Sequence, residues 1–144
     1  MQTTGTQQAA QAAFDAYAYG MALDGTEVTL IGRGEDRSAY LIGSTVYKVG
    51  HRDSANVADH ANLTAARAAG HAWAPRSELY YAVDEFGRNV PVMAMPYIED
   101  DGSEMAPETE AAFRATAGTQ VDRIGGNYVV VNGQPVVLDG CTLS

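Results

Sequence analysis

Apolar residues recur at two different periods along the chain, and the change of period separates helices from strands. Near the N-terminus, alanines and aromatic residues return every three or four positions, which predicts a helix over residues 7–21. Asp24-Gly25 follows as a turn and stop signal. Alternation then replaces the helical period, and it predicts an antiparallel meander of three strands over residues 27–31, 39–42 and 45–49.

The rest of the chain also changes between the helical period and the strand period. Ser54 is a favourable N-cap and Gly70 a favourable stop for one helix, and Pro107 suits the first turn of another. Asn132-Gly133 is the residue pair that type I′ hairpin turns require. The elements predicted here are helices over residues 54–69 and 106–117, and strands over residues 79–83, 90–95, 128–131 and 136–138. The pattern as a whole predicts a single α+β domain over residues 1–144.

Composition removes several classes of function. The chain has 144 residues and a net charge of −9, which argues against a nucleic-acid binder, since such a protein needs a basic surface. No apolar run is long enough to span a membrane, and the N-terminus does not resemble a signal peptide. Cys141 is the single cysteine, so we expect a protein of the reducing cytoplasm. Abundant alanine and arginine suggest a bacterial or phage genome.

One residue stands out against this composition. Lys48 is the only lysine among nine basic residues, and it lies in the middle of a predicted strand. Alternation puts Lys48 and Val46 on the same face of that strand. A lysine there either lies at a solvated edge or reaches an anion. Gly32 and Gly34 form a Gly-x-Gly connection before it, which alone often marks only a turn.

A second group of polar residues lies near the C-terminal end. Asp122 and Asn127 are predicted to lie in a loop before the hairpin, and Asp139 follows its return strand. Asn127 and Asp139 are oxygen ligands of the kind that Mg²⁺ prefers, and Asp122 beside them is a candidate base. The alternative is ordinary turn chemistry, because Asp and Asn are common loop residues.

The order of these features resembles the protein-kinase-like superfamily. A glycine loop, a strand lysine, a helix, two strands, a connecting helix, an Asp-x4-Asn loop and a hairpin ending in Asp-Gly follow one another as in that family. The segment Asp122-Arg-Ile-Gly-Gly-Asn127 is closer to the aminoglycoside and choline kinase branch. The resemblance implies a five-stranded antiparallel small lobe with one helix over residues 27–98. It also implies a reduced large lobe over residues 99–144, with one or two helices and a β-hairpin.

The resemblance assigns roles to particular residues. Lys48 matches the lysine that contacts the α and β phosphates of ATP, and Asp122 matches the catalytic base. Asn127 and Asp139 match the ligands of Mg²⁺, and Asp59 stands nearest to the acidic partner of the lysine. The nucleotide-binding positions that it implies are Gly32, Gly34, Arg37, Ala39, Val46, Lys48, Met95 and Tyr97. Arg37 replaces the third glycine of the family's loop, and Met95 or Tyr97 matches the backbone donor to adenine.

The resemblance therefore implies a minimal ATP- and Mg²⁺-binding protein that transfers phosphate to a hydroxyl group on a small molecule or a protein. The alternative is a catalytically inactive kinase-like module for regulation or protein interaction. A third interpretation is a small α+β domain whose kinase-like order is coincidental. Only five residues follow Asp139 in the given sequence, so we expect most of the large lobe to be missing. Apolar strands left uncovered by that loss predict a homodimer.

Overall fold

A computed structural model describes residues 5–33, 37–50, 53–117 and 127–138 of the chain. Within these ranges it has three helices and seven strands, and the fold is α+β. The helices are α1 (Gln7–Tyr19), α2 (Asp53–Ala68) and α3 (Pro107–Ala117). The strands are β1 (Thr29–Arg33), β2 (Arg37–Ile42), β3 (Thr45–Gly50), β4 (Glu78–Val83), β5 (Asn89–Pro96), β6 (Tyr128–Val131) and β7 (Gln134–Val137).

Five of the strands form one antiparallel sheet in the order β1-β2-β3-β5-β4. The predicted meander is confirmed, because β1, β2 and β3 are successive neighbours. Strands β6 and β7 form a separate hairpin. Its turn residues Asn132 (φ 53°) and Gly133 (φ 74°) both have the left-handed backbone that the type I′ turn requires.

The chain divides into two compact units. The first takes the described residues of Met1–His60 and Ser77–Tyr97, and therefore contains α1, the five-stranded sheet and the first half of α2. The second takes the described residues of Ala61–Arg76 and Ile98–Ser144. Each unit is described separately below.

Helix α1 covers one face of the sheet in the first unit. Its residues Ala10, Ala13 and Phe14 share a buried core with Tyr47 and Val49 of β3. Tyr40 of β2, Ala82 of β4, and Val92 and Ala94 of β5 belong to the same core. Since side chains alternate along a strand, the residues between these point to the other face. That second face carries Lys48, and we call it the lysine face.

The N-terminal end of α1 is fastened to the sheet through the backbone of Gly5. Its N–H donates to Glu78 Oε1 at 2.8 Å, and its carbonyl accepts from the Tyr80 hydroxyl at 2.7 Å. A Cβ atom at Gly5 would lie 3.0 Å from Ala94 Cβ and 3.1 Å from the Tyr47 hydroxyl oxygen. Glycine is required here because the backbone lies directly on the sheet.

Two glutamines of α1 also protect the outer edge of the sheet. Gln7 Nε2 donates to Tyr81 O at 2.6 Å. Gln11 accepts from Val83 N at 2.8 Å and donates to Val83 O at 3.0 Å. These bonds occupy backbone groups of the edge strand β4, which would otherwise be available to pair with another chain.

In the second unit, an aromatic cluster packs α3 against the hairpin. Phe113 lies between Trp73 and Tyr128, with ring centroids 6.2 and 4.9 Å away. Trp73 Nε1 donates to the Thr116 hydroxyl at 2.9 Å. Val130 and Val137 of the hairpin are fully buried within the chain. These two side chains need no second chain to cover them, although the homodimer itself stays a prediction.

The acidic segment before α3 holds the hairpin in place. Asp100 Oδ2 accepts from Val130 N at 3.1 Å, and Asp101 Oδ2 accepts from Asn132 N at 2.8 Å. Hydrogen bonds from Ser103 and Asn132 lower the pKa of the Asp101 carboxyl, because they stabilise its charged form. These two aspartates are exposed, but their carboxylates also serve as acceptors for the backbone of the hairpin.

Candidate functional site

Lys48 lies at the centre of the five-stranded sheet. It pairs with Ala39 of β2 on one side and with Met93 of β5 on the other. Only 7% of the residue is exposed. The solvated-edge interpretation of this lysine is therefore wrong. Lysine is almost never buried unless its ammonium group has compensating partners, so its place on the lysine face marks this face as the candidate site.

The residues around Lys48 make the lysine face apolar. Val46 lies two residues before Lys48 on β3 and pairs with Met95 of β5 and Leu41 of β2. The register therefore brings together four of the predicted nucleotide-binding residues, which are Ala39, Val46, Lys48 and Met95. The arrangement places the Lys48 side chain among the apolar side chains of Ala39, Val46, Met93 and Met95.

Access to the lysine face differs from strand to strand. Met93 and Met95 of β5 are fully buried. Ala39 of β2 is only half-buried, and Gly32, which pairs with it from β1, is exposed. A β-bulge between Leu30 and Gly32 disturbs the pairing of β1 at this point. A ligand approaching this face would therefore meet the β1–β2 side first.

Asp59, the predicted acidic partner of Lys48, forms a buried ion pair with Arg37. The distance from Arg37 Nη2 to Asp59 Oδ2 is 2.9 Å, and the two side chains are 9% and 8% exposed. The guanidinium of Arg37, one of the predicted nucleotide-binding residues, is thus turned towards α2. A buried charge requires a partner of opposite sign, and each of these residues supplies it to the other.

Asn56 completes this cluster and was missed in the sequence analysis. Its Nδ2 donates to Lys48 O at 2.8 Å and to Pro91 O at 3.1 Å, and its Oδ1 accepts from Arg37 Nη1 at 3.1 Å. The residue is 0% exposed. Asn56 and Asp59 are three positions apart and so share one face of α2. That spacing was the available signal, but it does not reveal which strand the helix face meets.

Met95 or Tyr97, at the C-terminal end of β5, was predicted to supply the backbone donor to adenine. Tyr97 is exposed, and its N–H donates to Ser44 O at 2.9 Å. That donor is therefore used within the chain. Met95, the other predicted donor, lies inside β5 and pairs with Val46.

The predicted metal and catalytic residues lie largely outside the described part of the chain. Gly34, Asp122 and Asp139 fall outside the described residues. Asn127 is described, and its carbonyl accepts from Leu138 N at 2.7 Å beside the hairpin of the second unit. In the described ranges, no three His, Cys, Asp or Glu side chains are grouped so that they would hold a metal ion. The described donors therefore do not make up a Mg²⁺ site, and the ion stays a prediction from the sequence.

No helix in the described part of the chain is long and apolar enough to cross a membrane. Comparisons of the chain with models of protein families, with curated proteins and with solved structures found no match. A function for this chain is therefore inferred from the residues of the lysine face and from the Arg37, Asp59 and Asn56 cluster at the β2 end of that face.

Proposed function

We propose that this chain binds a nucleoside triphosphate such as ATP on the lysine face, as a minimal kinase-like protein. The observation that carries the proposal is the burial of Lys48, 7% exposed, at the centre of an apolar sheet face. A base packs on apolar side chains, whereas a phosphate needs a cation nearby. The lysine face supplies both within one strand, through Val46 and Lys48.

The order of elements supports the same proposal. The chain has a lysine on the third strand of a five-stranded antiparallel sheet, then a helix, then two more strands. This is the order that the resemblance implies for a kinase-like small lobe. Lysine presents a compact charge rather than a planar fork, which suits a point contact to phosphate. The only lysine of a chain that otherwise uses arginine lies here.

The accessible part of the lysine face suggests where the base lies. Ala39 is half-buried and Gly32 is exposed, whereas Met93 and Met95 are covered. The base would therefore lie against Ala39 and Val46, on the β1–β2 side of Lys48. The absence of a Cβ atom at Gly32 would let a ligand approach the backbone closely.

Nucleotide binding without turnover is a second candidate, and one contact favours it. Asp59, the expected acidic partner of Lys48, is paired with Arg37 at 2.9 Å. A kinase-like protein whose acidic residue is also engaged by a second cation would bind a nucleotide without transferring its phosphate. Phosphate transfer to a hydroxyl acceptor would in addition need the predicted residues Asp122, Asn127 and Asp139.

Calorimetric titration with ATP, with and without Mg²⁺, tests the proposal. Bound ATP at 100 times its Kd raises the free energy of unfolding by about 2.7 kcal/mol, which a thermal melt detects. Lys48→Met should weaken ATP binding at least tenfold, because it removes the charge and keeps a long side chain. Lys48→Arg serves as a second variant that retains the charge.

The matched control is Arg88→Met, which removes a cation that is 73% exposed in the turn between β4 and β5. It should leave ATP binding unchanged. If wild-type protein shows neither heat of binding nor a thermal shift at millimolar ATP, the proposal is wrong. If ATP binds, release of ADP from the wild-type complex distinguishes phosphate transfer from nucleotide binding without turnover, since only a phosphotransferase turns over.

A further inference from the structure

We propose that Asn56 is a positioning residue that holds Lys48 and the start of β2 in place for phosphate binding. This inference rests on the proposed nucleotide site and deepens it. Asn56 lies on α2 and contacts the sheet strands that carry the candidate site. It does not need to contact the ligand, since it acts through the backbone of Lys48 and the side chain of Arg37.

Three strands meet at this one amide. Its Nδ2 donates to Lys48 O on β3 at 2.8 Å and to Pro91 O on β5 at 3.1 Å. Its Oδ1 accepts a hydrogen bond of 3.1 Å from Nη1 of Arg37, which is the first residue of β2. The β3–β5 pairing ends at Val49 and Val92, so the amide bridges the two strands next to the point where their ladder stops.

The three hydrogen bonds of the Asn56 side chain, which we call the Asn56 bridge, require an amide. The bridge needs two donors and one acceptor on a short side chain, and asparagine supplies all of them. An aspartate of the same size would offer only acceptors to two carbonyl oxygens that need donors. Because Asn56 is 0% exposed, water is not available to replace a lost partner.

The bridge determines the position of the proposed phosphate contact. Fixing the Lys48 carbonyl fixes the backbone from which the ammonium group extends. Arg37 is the first residue of β2, so its bond to Asn56 also fixes the start of that strand. Loss of the amide should therefore reduce the affinity for phosphates and leave the contacts of the base largely intact.

The test compares ATP with adenosine as probes of wild-type protein and Asn56→Asp. We expect the Kd for ATP to rise at least tenfold and the Kd for adenosine to change less than twofold. Asn89→Asp, the same substitution at an exposed position at the start of β5, should change neither. Asn56→Gln keeps both donors and the acceptor, and should recover part of the ATP affinity.

Equal losses for ATP and adenosine would assign Asn56 a merely structural role and overturn the inference. Unchanged ATP affinity in a folded Asn56→Asp protein would overturn it as well, while the proposed function would stand. If Asn56→Asp does not fold, the same comparison on Asn56→Ala, which removes the amide without adding a charge, decides by the same criteria. Absence of ATP binding to wild-type protein would instead refute the proposed function.

Discussion

The buried ion pair between Arg37 and Asp59 gives a sharp prediction for stability. Arg37→Met or Asp59→Leu alone removes one charge of the pair and leaves the other in a site where both side chains are less than a tenth exposed. Breaking a buried pair in this way lowers the free energy of unfolding by about 3–5 kcal/mol. That is a large part of the free energy of unfolding of a typical domain, which is about 5–15 kcal/mol. The double variant replaces both charges by apolar side chains and should be much closer to wild type than the sum of the single effects.

Urea unfolding of the four proteins, followed by circular dichroism, measures this coupling. The chain offers a matched control in Arg88 and Asp84, whose N–O distance is also 2.9 Å but whose arginine side chain is 73% exposed. A cycle of Arg88→Met and Asp84→Ala should show a coupling below about 1 kcal/mol, because solvent screens the exposed guanidinium even though the Asp84 side chain is only 12% exposed. Equal coupling in the two cycles would refute the argument that burial, rather than distance, determines the strength of the Arg37–Asp59 pair.

Two further predictions concern the anchoring of α1 to the sheet. Gly5→Ala places a Cβ atom 3.0 Å from Ala94 Cβ, and it should lower the free energy of unfolding by about 1–3 kcal/mol in thermal or urea unfolding. The control Gly32→Ala, whose Cβ atom would have no neighbouring atom within 4 Å, should leave the free energy of unfolding unchanged. Burial and the neighbouring Glu78 raise the pKa of Tyr80 to about 12. The folded state thus keeps the proton that an unfolded tyrosine loses near pH 10, so stability should fall as the pH rises from about 10 to about 12. Tyr80→Phe should flatten this part of the stability profile, and an unchanged slope would contradict the assignment.

Hydrophobic periodicity predicted the type and order of the described helices and strands, but their ends less well. The first strand was expected over residues 27–31, and β1 is Thr29–Arg33. Alternation does begin at Glu27, but β1 pairs with β2 only from Thr29↔Leu41 to Arg33↔Ser38. The end of a strand depends on where its partner lies, and local sequence does not contain that information.

The strand residues of the candidate site were predictable from the sequence, whereas their contacts with α2 were not. The common face of Lys48 and Val46 follows from alternation alone, and the register of β2 and β5 extends it. The Arg37–Asp59 pair joins residues from different elements, and it depends on where α2 packs. A helix face can be read from spacing, but the surface that it meets is a tertiary property. Asn56 was therefore missed, and so was the ion pair of Asp59 with Arg37, whereas Asp59 as the partner of Lys48 stays a prediction.

The central claim is that a nucleotide binds on the lysine face of the sheet, and methyl NMR tests its location directly. Ala39 is half-buried on the lysine face, whereas Ala94 is buried on the opposite face under α1. On titration with ATP, the methyl resonances of Ala39 and Val46 should shift and that of Ala94 should stay unchanged. A shift of Ala94 without a shift of Ala39, or no shift at saturating ATP, would contradict the account.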